Sequence, residues 1–241
     1  MPQPRARLTR DVQIEVWSDV VCPWCYIGKR RLETALERFP HRDQVEVVWR
    51  SFQLDPSVPE GETFPTLPAL AAKYGRSVEE MRGMQAHVEE TAAGEGLEYH
   101  LADGLSGNTL LAHELLHLAA EHGAAGRLKE RLLHAYFEEG RSVFDVDSLV
   151  PLGVEVGLDE GEVRAALADR RYLPAVRADA ATAQALGATG VPFFVVDRRY
   201  GAAGAQPAEL LLQLLERAWA DANPLITVPA ADGCTDGSCA V

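Results

Sequence analysis

Residues 16–27 read Val16-Trp17-Ser18-Asp19-Val20-Val21-Cys22-Pro23-Trp24-Cys25-Tyr26-Ile27, and the fold turns on this stretch. On its N-terminal side, Val12, Ile14 and Val16 alternate with Gln13 and Glu15, so Val12–Ser18 reads as a strand. On its C-terminal side, Tyr26, Ile27, Leu32, Leu36 and Phe39 recur at helical spacing up to Pro40. A helix therefore begins near the first cysteine. Val45–Leu54, rich in β-branched and aromatic residues, reads as a second strand. Strand, helix and strand in about 45 residues form a βαβ unit, parallel and right-handed by default.

Beyond it the pattern changes. From about Pro56 to Leu186, seven segments show i, i+3, i+4 apolar spacing between Gly, Pro and Asp stops: near 67–74, 78–94, 108–122, 127–138, 147–156, 159–168 and 172–186. This predicts a helical block of roughly 130 residues without strands, long enough to bury its own core. Val191–Val196 then reads as a strand, Asp197–Arg199 as a turn, Tyr200–Ala203 as a hairpin partner and Pro207–Ala220 as a closing amphipathic helix. Residues past Asn223-Pro224 lack periodicity and read as a tail. The expected class is α/β, a βαβ–ββα core with a large all-helical insertion. Residues 12–55 and 187–221 form the core domain, 56–186 the insertion and 222–241 the tail.

Composition narrows the function. The 241 residues carry 23 basic and 36 acidic side chains, a net charge of −13, with 47% apolar and 24% charged residues. That is ordinary for a globular chain and disfavours nucleic acid or an anionic membrane as partner. No apolar run approaches the ~18–20 residues of a membrane span. The first ten residues hold three arginines with no apolar stretch behind them, so no secretory signal is read and a cytoplasmic location is expected. There, cysteines serve as metal ligands or redox catalysts more often than as structural bridges. Monomer and homodimer are equally compatible with the sequence.

Cys22 and Cys25 stand as C-x-x-C where the strand meets the helix. Free N–H groups and the helix dipole at that terminus stabilise a thiolate at Cys22, the attacking sulfur. Cys25, one turn deeper, is placed to resolve a mixed disulfide. Pro23 fits the first turn, where its missing N–H costs little. Trp24 brings no charge. Two buried thiols, or half of a zinc site, are the competing readings; the strand-to-helix setting favours redox chemistry. Much later, Ala188-Thr189-Gly190-Val191-Pro192 places a proline at the head of a strand, where it interrupts no ladder.

This arrangement resembles the thioredoxin superfamily and, more narrowly, the DsbA-like dithiol oxidoreductases of FrnE type. The similarity runs over about residues 12–221. It includes Val16-Trp17-Ser18-Asp19, C-P-W-C, Asn108-Thr109 with Ala112-His113, the segment Ala135–Arg141 and Gly190–Phe194. The resemblance implies a thiol–disulfide oxidoreductase without organic cofactor or metal, acting on protein or small-molecule thiols and disulfides, with glutathione a candidate partner. It further implies that Pro192 is cis and packs beside Cys22, and that Pro23, Trp24 and the backbone of Val191 meet substrate. It also implies that Asn108 and His113 line the redox cleft. Kappa-class glutathione transferases and 2-hydroxychromene-2-carboxylate isomerases share this fold, but normally carry serine where Cys22 stands. A full dithiol favours disulfide exchange over their chemistry.

Two further motifs compete for attention. Cys234 and Cys239 flank a turn-forming Thr-Asp-Gly-Ser, so a small-loop disulfide is sterically feasible. Some FrnE-type proteins resemble this too, carrying a second C-x4-C pair near the C-terminus. A flexible chain from Asp221 to Cys234 has an r.m.s. reach of ~20 Å, so the tail pair is a candidate secondary redox pair. An incidental exposed pair and metal capture are the alternatives. Asp232 and Asp236 disfavour a thiolate at Cys234. His113-Glu114-Leu115-Leu116-His117 matches H-E-x-x-H, the zinc-hydrolase helix. A third ligand is its weak point: Glu138 and Glu139 are the candidates, and the leucine-rich helix favours packing histidines over ligands.

Overall fold

A computed structural model of the chain describes residues 10–224. Strand β1 (Val12–Ser18) is buried almost along its whole length, as the central strand of a sheet covered on both faces must be. It pairs in parallel with β2 (Val45–Ser51), from Val12 opposite Val45 to Ser18 opposite Ser51. Its other edge pairs antiparallel with β5 (Phe193–Val196), Trp17 opposite Phe193, and β5 pairs antiparallel with β6 (Tyr200–Ala203). The sheet order is β2-β1-β5-β6. Asp197 and Arg198 turn the β5–β6 hairpin with φ of 48° and 53°, and the Asp197 carboxylate accepts from Gln13 N at 2.9 Å.

Helix α1 (Pro23–Arg38) joins β1 to β2 and packs with the last helix, Ala208–Ala222, on one face of the sheet. The apolar stripes behave as their spacing predicts: Leu32, Ala35 and Phe39 meet Leu211, Leu215 and Ala218 over Ile14, Val16 and Phe194. Each such large side chain contributes roughly 1.5–3 kcal/mol on burial. The opposite face buries Trp17, Phe193 and Val195 against Ala183. There the Trp17 indole donates to the Asp179 carbonyl at 2.9 Å, so the largest core side chain leaves no polar atom unpaired.

The intervening chain forms α2 (Thr66–Tyr74), α3 (Val78–Gly94), α4 (Leu110–Glu121), α5 (Ala125–Phe137), α6 (Val146–Glu155), α7 (Glu160–Ala168) and α8 (Leu173–Ala185), which makes the closing helix α9. Ser77, Asp145 and Asp159 cap α3, α6 and α7 through side-chain bonds to backbone N–H groups, which is why those helices start there. Helices α4 to α7 share a core that includes Leu115, Leu118, Leu128, Leu132, Leu149 and Val163. The insertion is not purely helical, however. Thr63–Pro65 (β3) and Leu105–Gly107 (β4) form a two-strand antiparallel ladder. Three residues are too few for an alternation signal, and the ladder is fixed by tertiary contact: a Cβ at Gly107 would lie 2.7 Å from Phe144 Cγ. Asn108 and Thr109 precede α4 rather than opening it, Thr109 being its N-cap. No helix among the described residues is long and apolar enough to cross a membrane.

Candidate active site

The site grows from the start of α1. Cys22 is the N-cap, with extended backbone, and Pro23 is the first helical residue. No side chain caps this terminus and its first turn holds no acidic residue, so Cys22 stands at the positive end of the helix dipole with no carboxylate of that turn to offset it. Both cysteines are free thiols, 4% and 1% exposed, whereas Trp24 between them is 37% exposed. Burial pushes the Cys25 thiol well above the usual range, and its hydrogen bond with Cys22 and that neighbour's charge push the same way. Cys25 is thus the protonated, inner partner.

The distant proline segment closes over this turn. The Val191–Pro192 peptide is cis. The Cys22 thiol donates to the Val191 carbonyl at 3.5 Å, across 169 positions of sequence. Pro192 is held from the other side by the residue that follows β6, its carbonyl accepting from Gly204 N at 2.8 Å. Trp24 remains the outward-facing residue of the turn.

Beneath the dithiol lies a buried set of charges. Asp19, three residues before Cys22, accepts from Val20 N at 2.7 Å, Leu54 N at 2.8 Å and His113 Nε2 at 3.1 Å. Burial works to raise its pKa, but His113, the Leu54 N–H and Lys129 outweigh that and hold the carboxyl below the usual range. Lys129 comes from α5 and is 1% exposed; its Nζ donates to the Ser18 carbonyl at 3.5 Å and lies 6.0 Å from the Trp49 ring centroid. Burial pushes this ammonium down, opposed by the charges of Cys25, Asp19 and Cys22. A third group from the insertion also arrives: the Tyr99 hydroxyl donates to the Pro23 carbonyl at 2.7 Å.

Of the residues singled out in the sequence, Cys22, Pro23, Trp24, Cys25, Val191 and Pro192 are brought together. His113 is fully buried behind Asp19, so it reaches the site's floor and lines no cleft. Asn108 is a clasp: it accepts from Gln53 Nε2 and Leu110 N and donates to the Val58 carbonyl. Those bonds tie the loop after β2 to the start of α4. The H-E-x-x-H residues disperse. His117 Nε2 faces Ser51 Oγ at 3.1 Å and Asp179 Oδ2 at 3.2 Å, while Glu114 pairs with Arg170 at 3.0 Å. Among the described residues no three His, Cys, Asp or Glu side chains group as a metal site requires. Cys234 and Cys239 lie outside the described residues.

Lys129 and Tyr99 are site neighbours that sequence reasoning missed, and Asp19 was read only as part of the Val16–Asp19 motif, without a role beside the dithiol. Lys129 carries a readable signal, because it interrupts the stripe Ala125, Leu128, Leu132 and Leu133 on the inward face of α5. Tyr99 stands in irregular chain and has none.

Comparison with known proteins gives a consistent picture. A family model described as the DSBA-like thioredoxin domain matches residues 13–216. The uncharacterized protein YwbO of Bacillus subtilis is 32% identical over 187 residues, covering 77% of this chain and 86% of its own. The crystal structure of a probable DsbA oxidoreductase from Streptomyces coelicolor is 50% identical, with a TM-score of 0.85 over 91% of this chain and 94% of that one. The cytosolic disulfide reductase DsbM from Pseudomonas aeruginosa, solved with GSH, is 18% identical with a TM-score of 0.59 over 85% of this chain and 98% of its own, a likeness of fold.

Proposed function

The chain belongs to the DSBA-like thioredoxin domain family, and from that premise we propose that it is a dithiol–disulfide oxidoreductase working through Cys22 and Cys25. The observation that carries the reading is the asymmetry of the pair. Cys22 sits at an uncapped helix start beside the Val191 carbonyl, and Cys25 lies beneath it as a buried, protonated thiol.

In the reducing direction the Cys22 thiolate attacks one sulfur of a substrate disulfide, and the other sulfur leaves as a thiolate that takes up a proton. Cys25 then loses its proton and attacks the Cys22 sulfur of the mixed disulfide. The second substrate thiol is released, and the Cys22–Cys25 bond holds the oxidised enzyme; two electrons have passed to substrate. The reverse sequence oxidises a dithiol. Pro23, Trp24, Val191 and Pro192 form the substrate-facing rim, and no described residue accepts from the Val191 N–H, which leaves it for the backbone of an extended peptide. Glutathione is the candidate small-molecule thiol, in keeping with the ligand of the DsbM structure. Its use as a transferase or isomerase cofactor is the weaker reading, because that chemistry does not need Cys25. FrnE type is read from the motifs quoted above, and a cytoplasmic setting is in keeping with the cytosolic DsbM structure of similar fold. A relay through Cys234 and Cys239 would start from Asn223, which is hydrogen-bonded to Arg10 at the end of β1 remote from Cys22.

The test is insulin reduction and reactivation of scrambled ribonuclease by the wild type, Cys22→Ser and Cys25→Ser. Cys22→Ser is expected to be inactive and Cys25→Ser to accumulate a mixed disulfide. Full activity in Cys22→Ser overturns the mechanism.

A further inference from the structure

Tyr99 is held in place without regular secondary structure. Its neighbours along the chain are pinned by His100 N donating to the Phe137 carbonyl at 2.9 Å and Leu101 N donating to Glu89 at 2.8 Å. Its ring stacks on Phe137 at 4.6 Å between centroids and faces Tyr26 of α1 at 6.1 Å. All three rings are buried. The hydroxyl therefore arrives at the dithiol turn on a rigid mount, and it ends on one atom, the carbonyl oxygen of the residue next to Cys22. Burial and the nearby charges of Cys22, Tyr26 and Cys25 hold the phenol well above its usual range, so it remains a donor.

We propose that Tyr99 is a positioning residue for the dithiol, a latch through which the helical insertion fixes the Cys22-Pro23-Trp24-Cys25 turn in its reduced form. The inference rests on the redox reading given above. Its asymmetry comes from covalent chemistry. In the oxidised protein the Cys22–Cys25 bond itself constrains the turn, so the latch is redundant. In the reduced protein that constraint is gone, and the turn keeps Cys22 at the head of the helix dipole only if it is held another way. The bond to Pro23 O supplies that hold, so it stabilises the reduced state more than the oxidised one. Losing it moves the equilibrium toward the disulfide and makes the protein a weaker oxidant.

The experiment equilibrates the wild type, Tyr99→Phe and Phe137→Leu in glutathione redox buffers, and separately titrates the ultraviolet thiolate absorbance of each reduced protein. Tyr99→Phe keeps the ring stack and removes only the hydroxyl. It is expected to favour the disulfide about three- to tenfold relative to wild type, the range one hydrogen bond supports, with thiolate absorbance appearing at higher pH. Phe137→Leu loosens the mount but leaves the hydroxyl, and should lose thermal stability while moving both readouts the same way by less than Tyr99→Phe does. The proposal is overturned if Tyr99→Phe matches wild type in both readouts, or if Phe137→Leu moves them equally. Failure of the wild type to exchange with any disulfide would overturn the redox reading instead, and the thiolate titration would still test the latch.

Discussion

Gly28 and Pro192 meet so closely that neither has room for more atoms: a Cβ on residue 28 would lie 2.9 Å from Pro192 Cγ and 3.3 Å from Phe194 Cζ. Helix α1 thus rests directly on the segment that faces its own cysteine. Two effects of Gly28→Ala oppose each other. Helix propensity favours alanine by about 1 kcal/mol, while overpacking at an unyielding ring costs about 1–3 kcal/mol. Pro192 is anchored by Gly204, the residue that follows β6, and cannot recede, so the steric term wins. The variant is expected to melt at lower temperature and to reduce insulin more slowly, as Cys22 is levered away from Val191. A melting temperature at or above wild type would show that the contact yields.

Lys129→Met removes a buried charge and keeps most of the side-chain volume. The ammonium works to lower the Cys25 thiol, against burial and Cys22. Without it the Cys25 thiol moves further up and yields less thiolate, so the resolving step is expected to slow. The first attack, by Cys22, should change less. Rapid-quench alkylation followed by mass spectrometry distinguishes the two, because the mixed disulfide then accumulates in the variant alone.

Acid stability is expected to depend on Glu130. Its carboxylate accepts from Tyr26 Oη at 2.7 Å and pairs with Lys29 and Arg30, which joins α5 to α1. Burial would raise it, but the bonds from Arg30 and Lys29 hold its pKa at about 2, below the ordinary 4.5. A depressed pKa stabilises the fold fully above the unfolded value, and that contribution is lost as pH falls from about 4.5 toward 2. After screening at a partly exposed group it is on the order of 1–2 kcal/mol. Denaturant unfolding across that window should show the loss in wild type and a flatter profile in Glu130→Gln.

His117→Ala tests whether the H-E-x-x-H pattern has any catalytic meaning. His117 joins Ser51 on β2 to Asp179 on α8. Its removal should therefore cost stability, about 1–3 kcal/mol for the polar groups it leaves behind, with disulfide exchange intact. A loss of exchange at unchanged stability would reverse that assignment.

The elements that carry the dithiol were legible because they are long and periodic. Strand β1, α1 and the β5–β6–α9 ending fall within a few residues of their expected bounds, and C-P-W-C sits at the expected junction. The ladder of β3 and β4 was not legible, because three residues make no pattern and the pairing is decided by Phe144 and its neighbours. His113 shows a second limit. Its position on a helix could be read, but whether it faces a cleft or an aspartate depends on how α4 packs against the end of β1. Tyr99 shows the third: its bond to Pro23 spans 76 positions and depends on two other aromatic rings.

Of the groups that meet the dithiol from behind, Asp19 follows β1, whereas Lys129 and Tyr99 both come from the inserted segment. The division of labour has a consequence for how such a protein can diverge. Substitutions at α5, or in the irregular chain before β4, can retune the affinity of the cysteine pair for electrons while both cysteines and the proline opposite stay untouched. Two relatives with the same four-residue motif need not share a redox role.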